Sequence, residues 1–183
     1  MVPTANGHIP GFAPSTTGPV TDVPRPTAIR IKIVSGGQTG VDRAALDAAI
    51  AIGLDHGGWC PAGRLAEDGT VPSRYQLVET ATSDYAFRTE QNVLDSDATL
   101  ILYEGRLRGG TLLTRKLCER WQKPYLLVHL ADDPPAAACR WLAETAPRTL
   151  NVAGPRESSA PGIEDRARRF LIRLLERRIV SDP

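Results

Sequence analysis

Three glycine-bearing stretches hold the residues best suited to chemistry. The first, Ile31–Asp47, reads IKIVSGGQTGVDRAALD: Gly36, Gly37 and Gly40 surround Gln38 and Thr39, and Asp42 follows. Glycines allow positive φ and let a backbone approach a ligand without a Cβ in the way. The N–H groups opening the next helix favour an anion, which lies on the positive end of the helix dipole. Such a turn could hold a phosphate, with one amide and one hydroxyl to orient it. Asp42 either complements the dipole or grips a ligand hydroxyl or amine. A carboxylate so near the turn repels a highly charged group, which favours a ligand with one phosphate and a polar ring system. The plainer reading is a tight strand-to-helix turn with no ligand. GGQTG lacks the Lys of GxxxxGK[ST] and does not fit GxGxxG, so neither familiar nucleotide signature applies.

The second stretch, Gly105–Gly110, places Arg106 and Arg108 beside Gly109, Gly110 and Thr111, and a guanidinium can grip phosphate bidentately. Asn151, Gly154, Arg156, Ser158 and Ser159 form a third group rich in donors. Any one of these positions alone reads as a turn residue. Three such groups in one parallel sheet read as a binding site.

Other candidates compete with structural roles. Arg88 and Glu90 read as a surface charge pair or as ligand contacts. Trp59 could stack on a planar heterocycle and Cys60 could approach a metal or sulfur, although core packing explains both. Glu67 and Asp68 could meet a cation or simply face solvent. His8, His56 and His129 fall into no Ser–His–Asp arrangement. Cys60, Cys118 and Cys139 contain no CxxC pair, so neither a disulfide framework nor a zinc or iron–sulfur site is expected.

Positioning these groups requires alternating strands and helices. Strands are expected at about residues 30–35, 54–60 (short), 98–103, 124–130 and 148–153. Helices are expected at about 40–52, 83–94, 111–121, 134–145 and 161–179, and residues 62–77 form a long loop that could act as a lid. In the last helix Ile163, Ala167, Phe170, Leu171, Leu174 and Leu175 share one face, while Arg166, Arg168, Arg169, Arg173, Arg177 and Arg178 form a solvated one. The pattern predicts a single Rossmann-like, doubly wound α/β domain, mainly parallel, with helices on both faces. All three glycine turns follow strands, so they should converge on one crevice at the carboxyl ends. Residues 1–28, carrying six prolines among Thr, Ser and Gly, read as a disordered or loosely attached tail before a domain at 29–183.

The 183 residues suit one such domain. A formal net charge of +1 and only 5% aromatic residues argue against a nucleic-acid groove or a membrane surface as the main partner. No segment is apolar enough to cross a bilayer and no signal peptide is evident, so a cytoplasmic setting is expected.

GGQTGVDRAALD at Gly36–Asp47, GGWCPAGRLAEDGTVPSRYQLVET at Gly57–Thr80, RTEQNVLDSDATLIL at Arg88–Leu102, RGGT at Arg108–Thr111 and LNVAGPRES at Leu150–Ser158 together resemble one family. It is that of the molybdenum cofactor carrier proteins, the circularly permuted YpsA-like branch of the SLOG superfamily. The match spans Ile31 to the last helix. It implies a Rossmann-like fold and a homo-oligomer, dimer or tetramer, that binds molybdenum cofactor, a pterin with one phosphate and a dithiolene-held oxo-molybdenum. It also implies molybdoenzymes as recipients. Gly36–Gly40, Gly109–Thr111 and Gly154–Arg156 would suit the phosphate, and side chains near Trp59 and Arg88–Glu90 would face the pterin. The alternative is a nucleotide ligand, bound by a sensing module or split by a phosphoribohydrolase. The hydrolases of the wider superfamily carry PGGxGTxxE, and Thr114 stands here where their Glu would be. Glu90 or Asp42 would have to replace it.

Overall fold

The computed structural model describes Met1 and residues 31–130 and 135–181; the expected tail lies outside the described residues. The fold is mixed α/β with a five-stranded parallel sheet. Its strands are β1 (Lys32–Val34), β2 (His56–Gly57), β7 (Ala98–Tyr103), β8 (Tyr125–His129) and β9 (Thr149–Ala153). Five helices accompany them: α1 (Val41–Ala51), α2 (Tyr85–Leu94), α3 (Gly109–Arg120), α4 (Pro135–Thr145) and α5 (Ile163–Ser181).

The sheet order is β2-β1-β9-β7-β8, every neighbouring pair parallel. Counting the strands from β7 through β9 and on to β1 and β2 turns this order into 2-1-3-4-5, read from β8 to β2. That is a doubly wound order whose ends have been joined and recut elsewhere. Its switch point, where a crevice forms at the carboxyl edge, lies between β7 and β9.

Burial explains why these segments pair. In β7 residues Ala98–Leu102 are all buried, the signature of a parallel strand covered on both faces. Leu100 and Leu102 join Ile33, Leu150 and Val152 in the main core, against α1, α4 and α5. All six expected apolar residues of α5 are at most 1% exposed, and Ala44, Ala45, Ala48 and Ala49 of α1 let the two helices pack closely. On the other face α2 and α3 pack together around Val93, Leu117 and Cys118.

The expected strand at 54–60 is broken at Gly58, where φ is 124° and a Cβ would lie 2.3 Å from Ser35 O. The chain therefore leaves the sheet after β2, and β3 (Trp59–Cys60) pairs instead with β6 (Val78–Glu79). The long loop is also more ordered than its composition suggested. It contains a two-residue-stranded hairpin, β4 (Leu65–Ala66) and β5 (Gly69–Thr70). Arg64 ties the segment together by donating to the carbonyls of Val71, Pro72, Tyr75 and Leu77.

Candidate functional site

The three glycine turns meet at one crevice, a cavity of about 820 Å3 at the carboxyl ends of β1, β7 and β9. Of the residues singled out by sequence, it is lined by Gly36, Gln38, Asp42, Arg88, Arg108, Gly109, Gly110, Thr111, Asn151, Gly154 and Arg156. Arg106, Ser158 and Ser159 join them. Gly37, Thr39, Gly40 and Glu90 do not line it.

The first turn differs most from expectation. Four successive backbone donors, from Gln38 to Val41, are already taken by the protein's own acceptors. Gln38 N–H points to Asp42 Oδ2 (3.4 Å), Thr39 N–H to Gln38 Oε1 (3.0 Å), Gly40 N–H to Glu164 Oε2 (2.8 Å) and Val41 N–H to Pro155 O (3.1 Å). The N-terminus of α1 is thus neutralised by a carboxylate 124 residues away in sequence. Its glycines serve packing. A Cβ on Gly37, where φ is 76°, would lie 2.6 Å from Leu77 Cδ1, and one on Gly40, where φ is 78°, would lie 2.4 Å from Pro155 O. A Cβ on Gly36 would lie 1.6 Å from Arg88 Nη1, because the guanidinium rests on that backbone.

The hairpin clamps this knot. Glu67 accepts from the Thr39 and Ser158 hydroxyls and from Ser158 N–H (3.2 Å), with Arg156 Nη1 3.6 Å from its other oxygen. Asp68 takes both arms of Arg43 at 2.5 and 2.7 Å. Burial pushes the Glu67 carboxyl up, but the bonds from Ser158 and Thr39 and the Arg156 charge outweigh it and hold it below its ordinary value. Both residues are exposed, as expected, and both are also tied to the turns and α1 by these bonds.

The second turn is open. Gly109, Gly110 and Thr111 begin α3, and their N–H groups have no partner among the described residues; the first bond of the helix is Leu112 N–H to Arg108 O (3.2 Å). No side chain caps this end and no acid occupies its first turn. A Cβ at Gly109 or Gly110 would meet nothing within 4 Å. Arg106, Arg108 and Arg156 line the same cavity. Three amides without partners, a positive dipole end and three guanidiniums are the features an anion would use.

On the α1 side, Asp42 and Arg88 form a buried pair, Arg88 Nη1 to Asp42 Oδ2 at 3.1 Å, with side chains 8% and 11% exposed. Arg88 Nε and Gln38 Nε2 have no partner. Burial pushes the Asp42 carboxyl up, and the charge of Arg88 pulls only part of the way back. Around them Asn151 bonds Thr99 (Nδ2 to Oγ1, 3.3 Å), and Asn92 exchanges bonds with the Trp59 backbone.

The remaining candidates lie elsewhere. Glu90 accepts from Trp121 Nε1 at 2.8 Å on the outside of α2. Trp59 gives its indole N–H to Asp95 (2.7 Å), away from the cavity. Cys60 is fully buried, which pushes its thiol up and leaves it inert. Thr114 donates to Gly110 O (2.9 Å). Sequence reasoning missed Glu104, Asp84, Tyr85 and Asn92 in the cavity wall. Glu104 follows β7 directly, and that position was the available signal. It is held by Arg166 at 2.7 and 2.8 Å. Among the described residues no group of His, Cys, Asp and Glu is placed to hold a metal ion, and no helix is long and apolar enough to cross a membrane.

A parallel doubly wound sheet with a cavity at its switch point defines a Rossmann-like domain. More narrowly, the chain belongs to the circularly permutated YpsA SLOG family, whose model matches residues 33–175. Among solved structures it is similar to a protein from Syntrophus aciditrophicus named "Putative molybdenum carrier protein". The two share 46% identity over 80% of this chain and 95% of that one, with a TM-score of 0.76. No curated protein matches the chain. The recut strand order agrees with the family's description.

Proposed function

We propose that this protein binds and carries molybdenum cofactor or a closely related phosphorylated heterocycle, with the phosphate on the start of α3 and the ring in the crevice. One observation carries the reading: Gly109, Gly110 and Thr111 present three unpartnered N–H groups to a cavity lined by Arg106, Arg108 and Arg156. Of the three turns expected to suit the phosphate, this reading favours the second over the first. The family and the name of the similar protein support the carrier role. Molybdenum cofactor brings its own dithiolene ligands for the metal, so the protein need supply only contacts to phosphate and pterin.

The carboxylates favour carriage over hydrolysis. Splitting an N-glycosidic bond needs an acid free to act beside the sugar carbon. Glu90 lies outside the cavity, Glu104 is tied to Arg166, Asp84 caps α2 by accepting from Ala86 N–H, Asp42 is buried with one oxygen held by Arg88, and Thr114 has no carboxylate. In keeping with the resemblance, we read the protein as a cytoplasmic homo-oligomer serving molybdoenzymes, with residues 29–183 as its ligand-binding domain.

Native mass spectrometry under anaerobic conditions, with molybdenum cofactor or AMP added, tests the reading. The wild-type protein should retain intact cofactor. Gly110→Asp, which puts a carboxylate where there is open space, should fold normally and lose it by about tenfold or more. Release of adenine and ribose phosphate from AMP would overturn the carrier role; undiminished binding by Gly110→Asp would move the phosphate elsewhere.

A further inference from the structure

The α1 side of the cavity carries a feature that phosphate binding does not use. Asp42 lines the cavity at 6% exposure, and both of its hydrogen bonds, from Arg88 Nη1 and Gln38 N–H, fall on Oδ2. Ser35 stands beside it, but its hydroxyl proton goes to Val152 O at 2.6 Å. Oδ1 therefore lacks a committed donor. Arg88, for its part, uses one N–H on Asp42 and leaves Nε, also buried, without an acceptor. A buried carboxylate normally takes two or three donors, and a guanidinium facing it normally pairs through two arms. Here each partner is half satisfied, and both residues line the cavity.

We propose that Asp42 selects the ring of the ligand, accepting from a heterocycle edge that presents a ring N–H beside an exocyclic NH2. That is the 2-amino-4-oxopyrimidine edge shared by pterins and guanine. Asp42 Oδ1, the oxygen without a committed donor, accepts from that pair of N–H groups. Adenine offers the wrong pattern, with an acceptor in place of the ring N–H and no 2-amino group. The assignment rests on the phosphate-and-ring reading above.

Titration calorimetry of the wild-type protein with GMP, IMP and AMP tests it, since the three share a phosphate and differ at this edge. GMP should bind tightest, IMP weaker by roughly tenfold for the missing amine, and AMP weakest by roughly a hundredfold. A pterin bearing a phosphate should rank with or above GMP. In Asp42→Asn, checked for folding by its melting temperature, the GMP-to-AMP affinity ratio should fall towards one. Equal affinities for the three nucleotides in the wild type would overturn the role of Asp42 and leave the phosphate site standing. Binding of none of them, or of the pterin, would overturn both.

Discussion

Gly36 and Gly110 both follow parallel strands and both line the cavity, yet substitutions at them should do opposite things. At Gly36 an added methyl meets the Arg88 guanidinium at 1.6 Å, and Arg88 is the charge partner of buried Asp42. Displacing it leaves a buried carboxylate uncompensated. Gly36→Ala should therefore lower stability by about 3 kcal/mol, read by urea unfolding. Gly110→Ala should stay within about 0.5 kcal/mol, because nothing stands within 4 Å and alanine suits a helix. Equal losses at the two sites would refute the division into a packing glycine and a ligand-facing one. The contrast has a plain origin. A glycine is kept either because the protein's own atoms fill the place of its Cβ or because a ligand's do, and the first turn belongs to the former case.

At the scale of elements, the β4–β5 hairpin is a clasp across the first and third turns. Its two acids pull in one direction. Glu67 is held below its ordinary pKa by Ser158, Thr39 and Arg156 against an upward push from burial, and Asp68 is held down by the hydrogen bonds and charge of Arg43. A folded-state pKa below the unfolded value means stability that is present above the ordinary carboxylate range and is lost as pH falls through the folded value. Glu67→Gln should unfold at lower urea than wild type at pH 7, and the gap should close below about pH 4. A gap that persists in acid would mean that Glu67 acts through packing alone. The same bonds explain why Thr39 does not line the cavity and why the hydroxyl of Ser158, which does, is already engaged: Glu67 accepts from both.

The whole molecule shows what a recut chain must preserve. Joining the ends of a doubly wound sheet elsewhere changes which loop is first in sequence, but the switch point stays between β7 and β9. The crevice therefore follows the middle of the chain, and the N-terminal glycine turn becomes its neighbour. The family match begins at residue 33, and residues 1–28 have the Pro-, Thr-, Ser- and Gly-rich composition of a loosely attached tail. Removing them should leave the melting temperature within about 2 °C and ligand affinity unchanged. A drop well beyond that in a melt of residues 29–183 would give the segment a structural role.

Much of this was legible in the residues themselves. Apolar periodicity placed the five helices and the longer strands to within a few residues, because burial of a stripe or of a whole strand leaves a local pattern. Strand-to-helix alternation fixed the parallel sheet, and the rule that ligands gather at carboxyl ends brought the three glycine turns to one crevice. The tertiary structure alone decided which turn is open. Glu164 on Gly40, Glu67 on Thr39 and Arg88 on Gly36 are contacts between residues 28 to 124 positions apart. No local spacing encodes them. A glycine turn announces that something approaches its backbone closely; whether that is a ligand or the protein itself depends on chain folded back from far away.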